Sequence, residues 1–255
     1  MHPFAFGLIG IAILVGCLLV VFNFRFLIYP LNPNLNPMTN ATHTSLDGTS
    51  LFISDLHLRS DSHFQHSDAI RHVLQDRRVS NLIVVGDLFD SPEDALAIAG
   101  TSTGSPIADI LGARDLPIKG FFIEGSPPHD PASKKNVSLN LTPLLQLGRC
   151  AVLDFKQMAV IAYHGHDMSW KGMVGHGWDR FISPLSLERA WKRLAGVPDS
   201  DWVIFGHTHI PGIDRKHKVA NCGGWQTIRF LVQPARTGLL LSPENGSLEI
   251  VSFAQ

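Results

Sequence analysis

Residues 202–211 read WVIFGHTHIP. An apolar run, 202–205, meets a glycine, and two histidines follow with one threonine between them. The run has the length and the β-branched and aromatic content of a buried strand. Two histidines at its tip are either the chance content of a loop or a pair of ligands for something bound there. Four other stretches repeat the pattern. SLFIS (50–54) runs into DLH, NLIVV (81–85) into GDLFD, KGFFIE (119–124) into GSPPHD, and MAVIAY (158–163) into HGH.

Helical patterns fall between some of these runs. Residues 68–78 follow Ser67, a candidate N-cap, with Ile70, Val73 and Leu74 on one side. Residues 187–195 follow Ser186 and stop at Gly196, with Pro198 beyond. Near the C-terminus, TIRFLVQ (227–233) and GLLLSPENGSLEIVSF (238–253) read as strands, and Asn245-Gly246 suits a hairpin turn. Alternating strands and helices followed by hairpins predict an α/β fold with a mixed sheet or two sheets. Open α/β sheets place their sites beyond the carboxyl ends of strands.

The strand ends collect Asp55, His57, Asp87, Asp90, His129, Asp130, His164, His166, His207 and His209. Singly, each reads as a turn former, a cap or a hydrogen-bonded histidine. Together, crowded carboxylates would repel, and imidazoles beside them would need partners. A divalent cation resolves both. Carboxylate and imidazole without thiolate suit manganese, iron, zinc or a similar ion. There are more ligands than one ion needs, and two ions bridged by a shared carboxylate would use them. Such a pair polarises a phosphoryl group and stabilises an in-line displacement.

The ordered set SDLH (54–57), GDLFD (86–90), GSPPHD (125–130), YHGH (163–166) and GHTH (206–209), followed by NCGGW (221–225), resembles the calcineurin-like metallophosphoesterases over about residues 50–230. The resemblance implies a four-layer αββα sandwich with two mixed β-sheets. It implies one metal on Asp55, His57, Asp87 and His209, and a second that shares Asp87 and takes His164 and His207. It further implies that His129, oriented by Asp130, is the general acid or a phosphate ligand. The family carries an asparagine at the position of Ser126, which makes Ser126 a weaker neutral ligand. Two divalent ions are expected, manganese first, with iron, zinc or magnesium as alternatives. Arg59, just beyond SDLH, is placed to meet a phosphate, and His166 to contact substrate or support its neighbour. Asp90 is expected to stand behind the ligands. SDLHL and GDLFD look most like the UDP-2,3-diacylglucosamine hydrolase branch, although that branch keeps the asparagine and has a longer lid.

The net charge is −1 and charged residues make up 17%. That balance offers no general basic field for nucleic acid. Of Cys17, Cys150 and Cys222, only the last two could pair within the folded part, and there is no CxxC. Residues 3–22 carry no charge, and as a helix they would span ~30 Å, about a bilayer's hydrocarbon thickness. The domains expected are a single-pass transmembrane anchor at 3–29, a linker at 30–48 rich in Pro, Asn and Thr, and a metallophosphoesterase domain at 49–255. Arg25 follows the span and no Lys or Arg precedes it, which places the domain in the cytoplasm. The N-x-S/T sequons at Asn40, Asn136, Asn140 and Asn245 point the other way.

The stretch 167–185 joins Trp170, Trp178 and Phe181 to Lys171, His176 and Arg180. Trp170, Lys171 and Arg180 are its candidate substrate contacts. Aromatic and basic residues beside a metal site suit a lipid-linked or nucleotide diphosphate, and equally a membrane headgroup. The expected function is hydrolysis of a phosphodiester or pyrophosphate bond. A catalytically silent scaffold and a nuclease of the same superfamily are the alternatives.

Overall fold

The computed structural model describes residues 37–100, 106–130, 141–168, 183–226 and 235–253. The expected anchor (3–29), the start of the expected linker, Trp170, Lys171, Arg180 and the TIRFLVQ segment lie outside them. Among the described residues, no helix is long and apolar enough to cross a membrane.

In chain order the elements are β1 (Thr42–Ser45), β2 (Ser50–Ile53), α1 (Ser67–Asp76), β3 (Asn81–Val85), α2 (Pro92–Ala99), α3 (Pro106–Ile110) and β4 (Lys119–Ile123). There follow β5 (Leu144–Gln146), β6 (Cys150–Phe155), β7 (Met158–Tyr163), α4 (Ser186–Leu194), β8 (Trp202–Phe205), β9 (Gly212–Asp214), β10 (Val219–Asn221), β11 (Thr237–Ser242) and β12 (Ser247–Ser252). They form two mixed sheets, ordered β1-β6-β7-β8-β10-β9 and β12-β11-β2-β3-β4-β5.

Strand alternation builds the layers. Along β3, Ile83 and Val85 face the other sheet while Leu82 and Val84 face helices. Along β8, Trp202 and Ile204 point between the sheets while Val203 and Phe205 point outward. Both faces of these strands are covered, so they read as unbroken apolar runs. The outer face of the β2–β3–β4 sheet packs on Ile70 and Leu74 of α1, Ala95 and Ala99 of α2 and Ile107 of α3. The outer face of the β7–β8 sheet packs on Trp191 of α4, which stacks on Tyr163 at 4.6 Å between centroids. Each fully buried large apolar side chain contributes ~1.5–3 kcal/mol. The result is helices, sheet, sheet, helix.

Three boundaries differ from the sequence reading, the smallest at α4, which Ser186 begins rather than precedes. Thr42–Ser45, inside the expected linker, is an edge strand in parallel register with Ala151–Asp154. Its β-branched threonines suit an edge, and a partner strand that the sequence reading passed over, Cys150–Phe155, recruits it. Ser67 begins α1 rather than capping it, and its hydroxyl donates to the Ile110 carbonyl at 2.8 Å. The missed helix α2 has the expected chemistry for a start: the Ser91 hydroxyl accepts from the Asp94 amide, and Pro92 follows. Cys150 and Cys222 are buried free thiols.

Candidate metal centre

The parallel pairs β2–β3, β3–β4 and β7–β8 bring the carboxyl ends of both sheets to one edge. The loops continue that pairing. The Asp55 amide donates to the Gly86 carbonyl at 3.1 Å, and the His57 amide to Asp87 at 3.1 Å. Across the sheets, the His207 amide donates to Asp55 Oδ2 at 2.9 Å, and the Ser54 hydroxyl to the Gly223 carbonyl at 2.9 Å. These bonds lock the GHTH and NCGGW loops of one sheet onto the SDLH loop of the other.

The side chains then gather in two sets. Asp55, His57 and His209 bring one ligand atom each within 4.8 Å of one another, as do Asp87, His164 and His207. Asp55 is fully buried and Asp87 is 3% exposed. His209 Nε2 lies 3.1 Å and His164 Nε2 3.2 Å from Asp55 Oδ1, and His164 Nε2 is 3.6 Å from Asp87 Oδ2. Burial works to raise the Asp55 pKa, yet His209 and His164 hold it well below the ordinary carboxylate range. Burial likewise opposes charge on His164, but Asp87 and Asp55 hold that imidazole up to about 9. Two buried carboxylates therefore favour positive charge between them. Carboxylate and imidazole donors in two adjoining triads fit divalent ions of the manganese, iron and zinc kind.

The backbone is bent to reach this arrangement. Asp55, His57, Asp87, His207 and His209 all have positive φ, between 46° and 66°, and among the described residues they are half of the ten non-glycine residues that do. Such conformations cost ~1–3 kcal/mol each and persist where the surroundings over-determine them. Glycines make the close approaches. A Cβ on Gly86 would lie 2.5 Å from the His164 ring, and one on Gly224 would lie 2.3 Å from His209 Nδ1.

Around the triads, the other expected residues divide. Ser126 stands at Asp87, giving its amide and hydroxyl to Oδ1 at 2.6 and 2.8 Å. Asp130 is buried and accepts from the amides of Asp87, Leu88 and Gly125 at 2.8, 3.1 and 2.8 Å. Burial and the nearby Asp87 push its carboxyl upward all the same. The orienting contact of His129 comes from elsewhere, since its Nδ1 is 2.6 Å from the Asp90 carbonyl oxygen. A carbonyl only accepts, so Nδ1 carries the proton. Asp90 also faces His57, with Oδ1 3.4 Å from Nδ1, and His57, Asp90 and His129 form a third close group. His166 lies behind His164, Nδ1 to Nδ1 at 3.4 Å, and its Nε2 meets Arg149 at 2.8 Å. Burial holds His166 down to about 4. Arg59 closes its fork on Asp61 at 2.9 and 2.8 Å in an exposed pair.

A family model described as the calcineurin-like phosphoesterase superfamily domain matches residues 50–246. The chain belongs to that superfamily. No curated protein matches it in sequence. Among solved structures, it is similar to a single mutant of Vps29 from Entamoeba histolytica, with 16% identity over 80% of this chain and 97% of that one and a TM-score of 0.44. It is similar to Yfce, a phosphoesterase from E. coli, with 13% identity over 81% and 100% and a TM-score of 0.43. A novel archaeal phosphodiesterase gives 13% identity over 80% and 98% and a TM-score of 0.42. As a calcineurin-like phosphoesterase superfamily domain, the chain carries candidate metal-ligand residues where five strands end.

Two residues that shape this calcineurin-like site received no role from the sequence: Asn221, quoted only as the start of NCGGW, and Glu188. Asn221 shares its Nδ2 among Gly206 O, Thr208 Oγ1 and Glu188 Oε1 at 2.6, 2.9 and 3.0 Å. Glu188 is fully buried beneath the GHTH loop. A signal for it existed: Glu188 and Trp191 are three apart and share one helix face, so a charged residue rides on the buried side.

Proposed function

We propose that this chain is a metal-dependent phosphoesterase that hydrolyses a phosphodiester or pyrophosphate bond with two divalent ions, manganese first. The observation that carries the reading is the pairing of two adjoining His/Asp triads, with His164 between Asp55 and Asp87. Asp55, His57 and His209 would hold one ion, and His164 and His207 the other, with Asp87 shared. When bound, the ions supply Lewis-acid polarisation of the phosphoryl oxygens and acidify the attacking water.

The chain's own residues do the rest. Ser126 fixes the Asp87 carboxylate through two hydrogen bonds. His129, with Nδ1 committed to the Asp90 carbonyl, is left with Nε2 to hold a proton for the leaving oxygen. His166 backs His164 from the side away from Asp55.

The uncharged run 3–22 supports a single-pass anchor, with the domain on the cytoplasmic side of the membrane. An anchored enzyme that carries Trp170, Lys171 and Arg180 in the sequence between the HGH and GHTH motifs suits a lipid-linked or nucleotide-linked substrate. SDLHL and GDLFD favour kinship with the UDP-2,3-diacylglucosamine hydrolase branch, while Ser126 in place of asparagine argues against carrying over its acyl-sugar specificity. A silent scaffold would leave six convergent ligands, five of them buried, without a reason.

The test is hydrolysis of bis-p-nitrophenyl phosphate by the full-length chain with added Mn²⁺, beside Asp87→Ala. Turnover in the wild type that chelator and Asp87→Ala both abolish is the expected result. Wild-type turnover in Asp87→Ala would contradict the shared-carboxylate reading.

A further inference from the structure

His207 and His209 both sit at positive φ, with Thr208 between them. The Thr208 amide turns back onto the Gly206 carbonyl at 2.8 Å, which tightens the loop further. A loop this bent holds its shape only if something outside it fixes the middle residue. The Thr208 side chain is buried, and its hydroxyl donates to Glu188 Oε1 at 3.1 Å. Asn221, at the end of β10, donates to the same Glu188 oxygen at 3.0 Å and to Thr208 Oγ1 at 2.9 Å. Its own Oδ1 accepts from the Gly223 amide at 2.9 Å.

Glu188 is itself anchored from below. It lies in the first turn of α4, between Leu187 and Trp191 on the buried face. Trp191 packs against Tyr163 and Phe205, the last residues of β7 and β8, which carry His164 and the GHTH loop. One turn on, Lys192 donates to the carbonyls of Asp201 and His217 at 2.6 and 2.8 Å. The helix is thus held at both ends of its buried face, and the Glu188 carboxylate is presented at a fixed height under Thr208. A buried carboxylate is expensive to maintain unless its bonds matter. Here they reach the one residue that separates the two histidines.

We infer that Glu188 is a positioning residue: through the buried bonds Glu188–Thr208 and Glu188–Asn221 it sets the separation and aim of His207 and His209 for two metal ions. This rests on the two-ion reading above. The hydrogen bonds make Glu188 act through an acceptor oxygen, so glutamine replaces it and alanine does not. Thr208→Val keeps the shape and removes the donor from the other side.

The experiment titrates Mn²⁺ into full-length wild type, Glu188→Gln, Glu188→Ala and Thr208→Val, following the free-ion EPR signal. The metal-free melting temperature is measured on the same samples. Glu188→Ala and Thr208→Val are expected to bind Mn²⁺ ~10–100-fold more weakly than wild type. Glu188→Gln is expected to bind close to wild type, a rescue that loss of general stability would not produce. Should Glu188→Ala fail to fold, Thr208→Val gives the same answer. Wild-type affinity in the folded alanine or valine variants would overturn the inference and leave the two-ion reading standing. A wild type that binds no Mn²⁺ would overturn both.

Discussion

Ser126 gives Asp87 two hydrogen bonds, from its amide at 2.6 Å and from its hydroxyl at 2.8 Å, and the hydroxyl also lies 3.0 Å from the second carboxylate oxygen. Ser126 is therefore a clamp on the Asp87 carboxylate. A hydrogen bond to a charged group is worth ~1.5–3 kcal/mol, and ~1.4 kcal/mol is a factor of ten. Ser126→Ala should lower kcat/KM about tenfold with little change in melting temperature. Ser126→Asn should tighten Mn²⁺ binding by adding an amide oxygen on the open side. Steady-state kinetics and Mn²⁺ titration of the two variants check this, and unchanged behaviour in both would remove Ser126 from the site.

Asp130 and His129 are neighbours with different work. Asp130 is buried and ties three loop amides of the Asp87 and Gly125 turns, with Phe89 N at a longer 3.4 Å. Stranding buried amides costs ~1–3 kcal/mol each, so Asp130→Ala should lose ~3 kcal/mol or more. In a domain of this size that lowers the melting temperature by roughly 6–12 °C. His129→Ala removes a partly exposed ring and should leave melting nearly unchanged while lowering kcat by ~10²–10⁴. Thermal denaturation beside kinetics separates the two, and equal loss of stability would refute the division.

Away from the site, Asp214 ties the β9–β10 hairpin to α4. Burial would raise its pKa, but the His217 side chain at 2.8 Å, the His217 amide at 3.0 Å and Arg189 at 3.1 Å hold it at about 2. The unfolded value is ~3.9. A carboxyl depressed on folding adds stability that is full above the unfolded value and is lost as pH falls through the folded one. Asp214→Asn should thus be less stable than wild type at about pH 6, with the gap closing between about pH 4 and pH 2. Urea midpoints across that range test it, and a gap independent of pH would show that the ion pairs are not the cause.

Much of this was legible in the chain. The runs at 50–54, 81–85, 119–124, 158–163 and 201–205 became strands because both faces of each are covered, which leaves unbroken apolar sequence. The polar residues at their tips were legible because nothing in a core explains them. Short or polar strands were not. Thr42–Ser45 looks like linker until Cys150–Phe155 gives it a partner, and Gly212–Asp214 has no apolar period to read. The left-handed conformations of Asp55, His57, Asp87, His207 and His209 leave no trace in composition, since Asp and His reach positive φ without glycine's signature. Nor does the sequence reveal that Asp130 serves amides while the Asp90 carbonyl serves His129, because hydrogen-bond direction depends on loop geometry. Glu188 left only the weak signal of sharing a helix face with Trp191, and a first-turn acid on a helix usually faces water.

The claim that His207 and His209 face two different ions is tested most directly by counting metal. Full-length wild type, His207→Ala and His209→Ala are loaded with Mn²⁺, freed of excess, and analysed for bound metal per chain. The account predicts two ions in the wild type and one in each variant. One ion in the wild type, lost in both variants, would contradict it and would mean that the two histidines share a single metal.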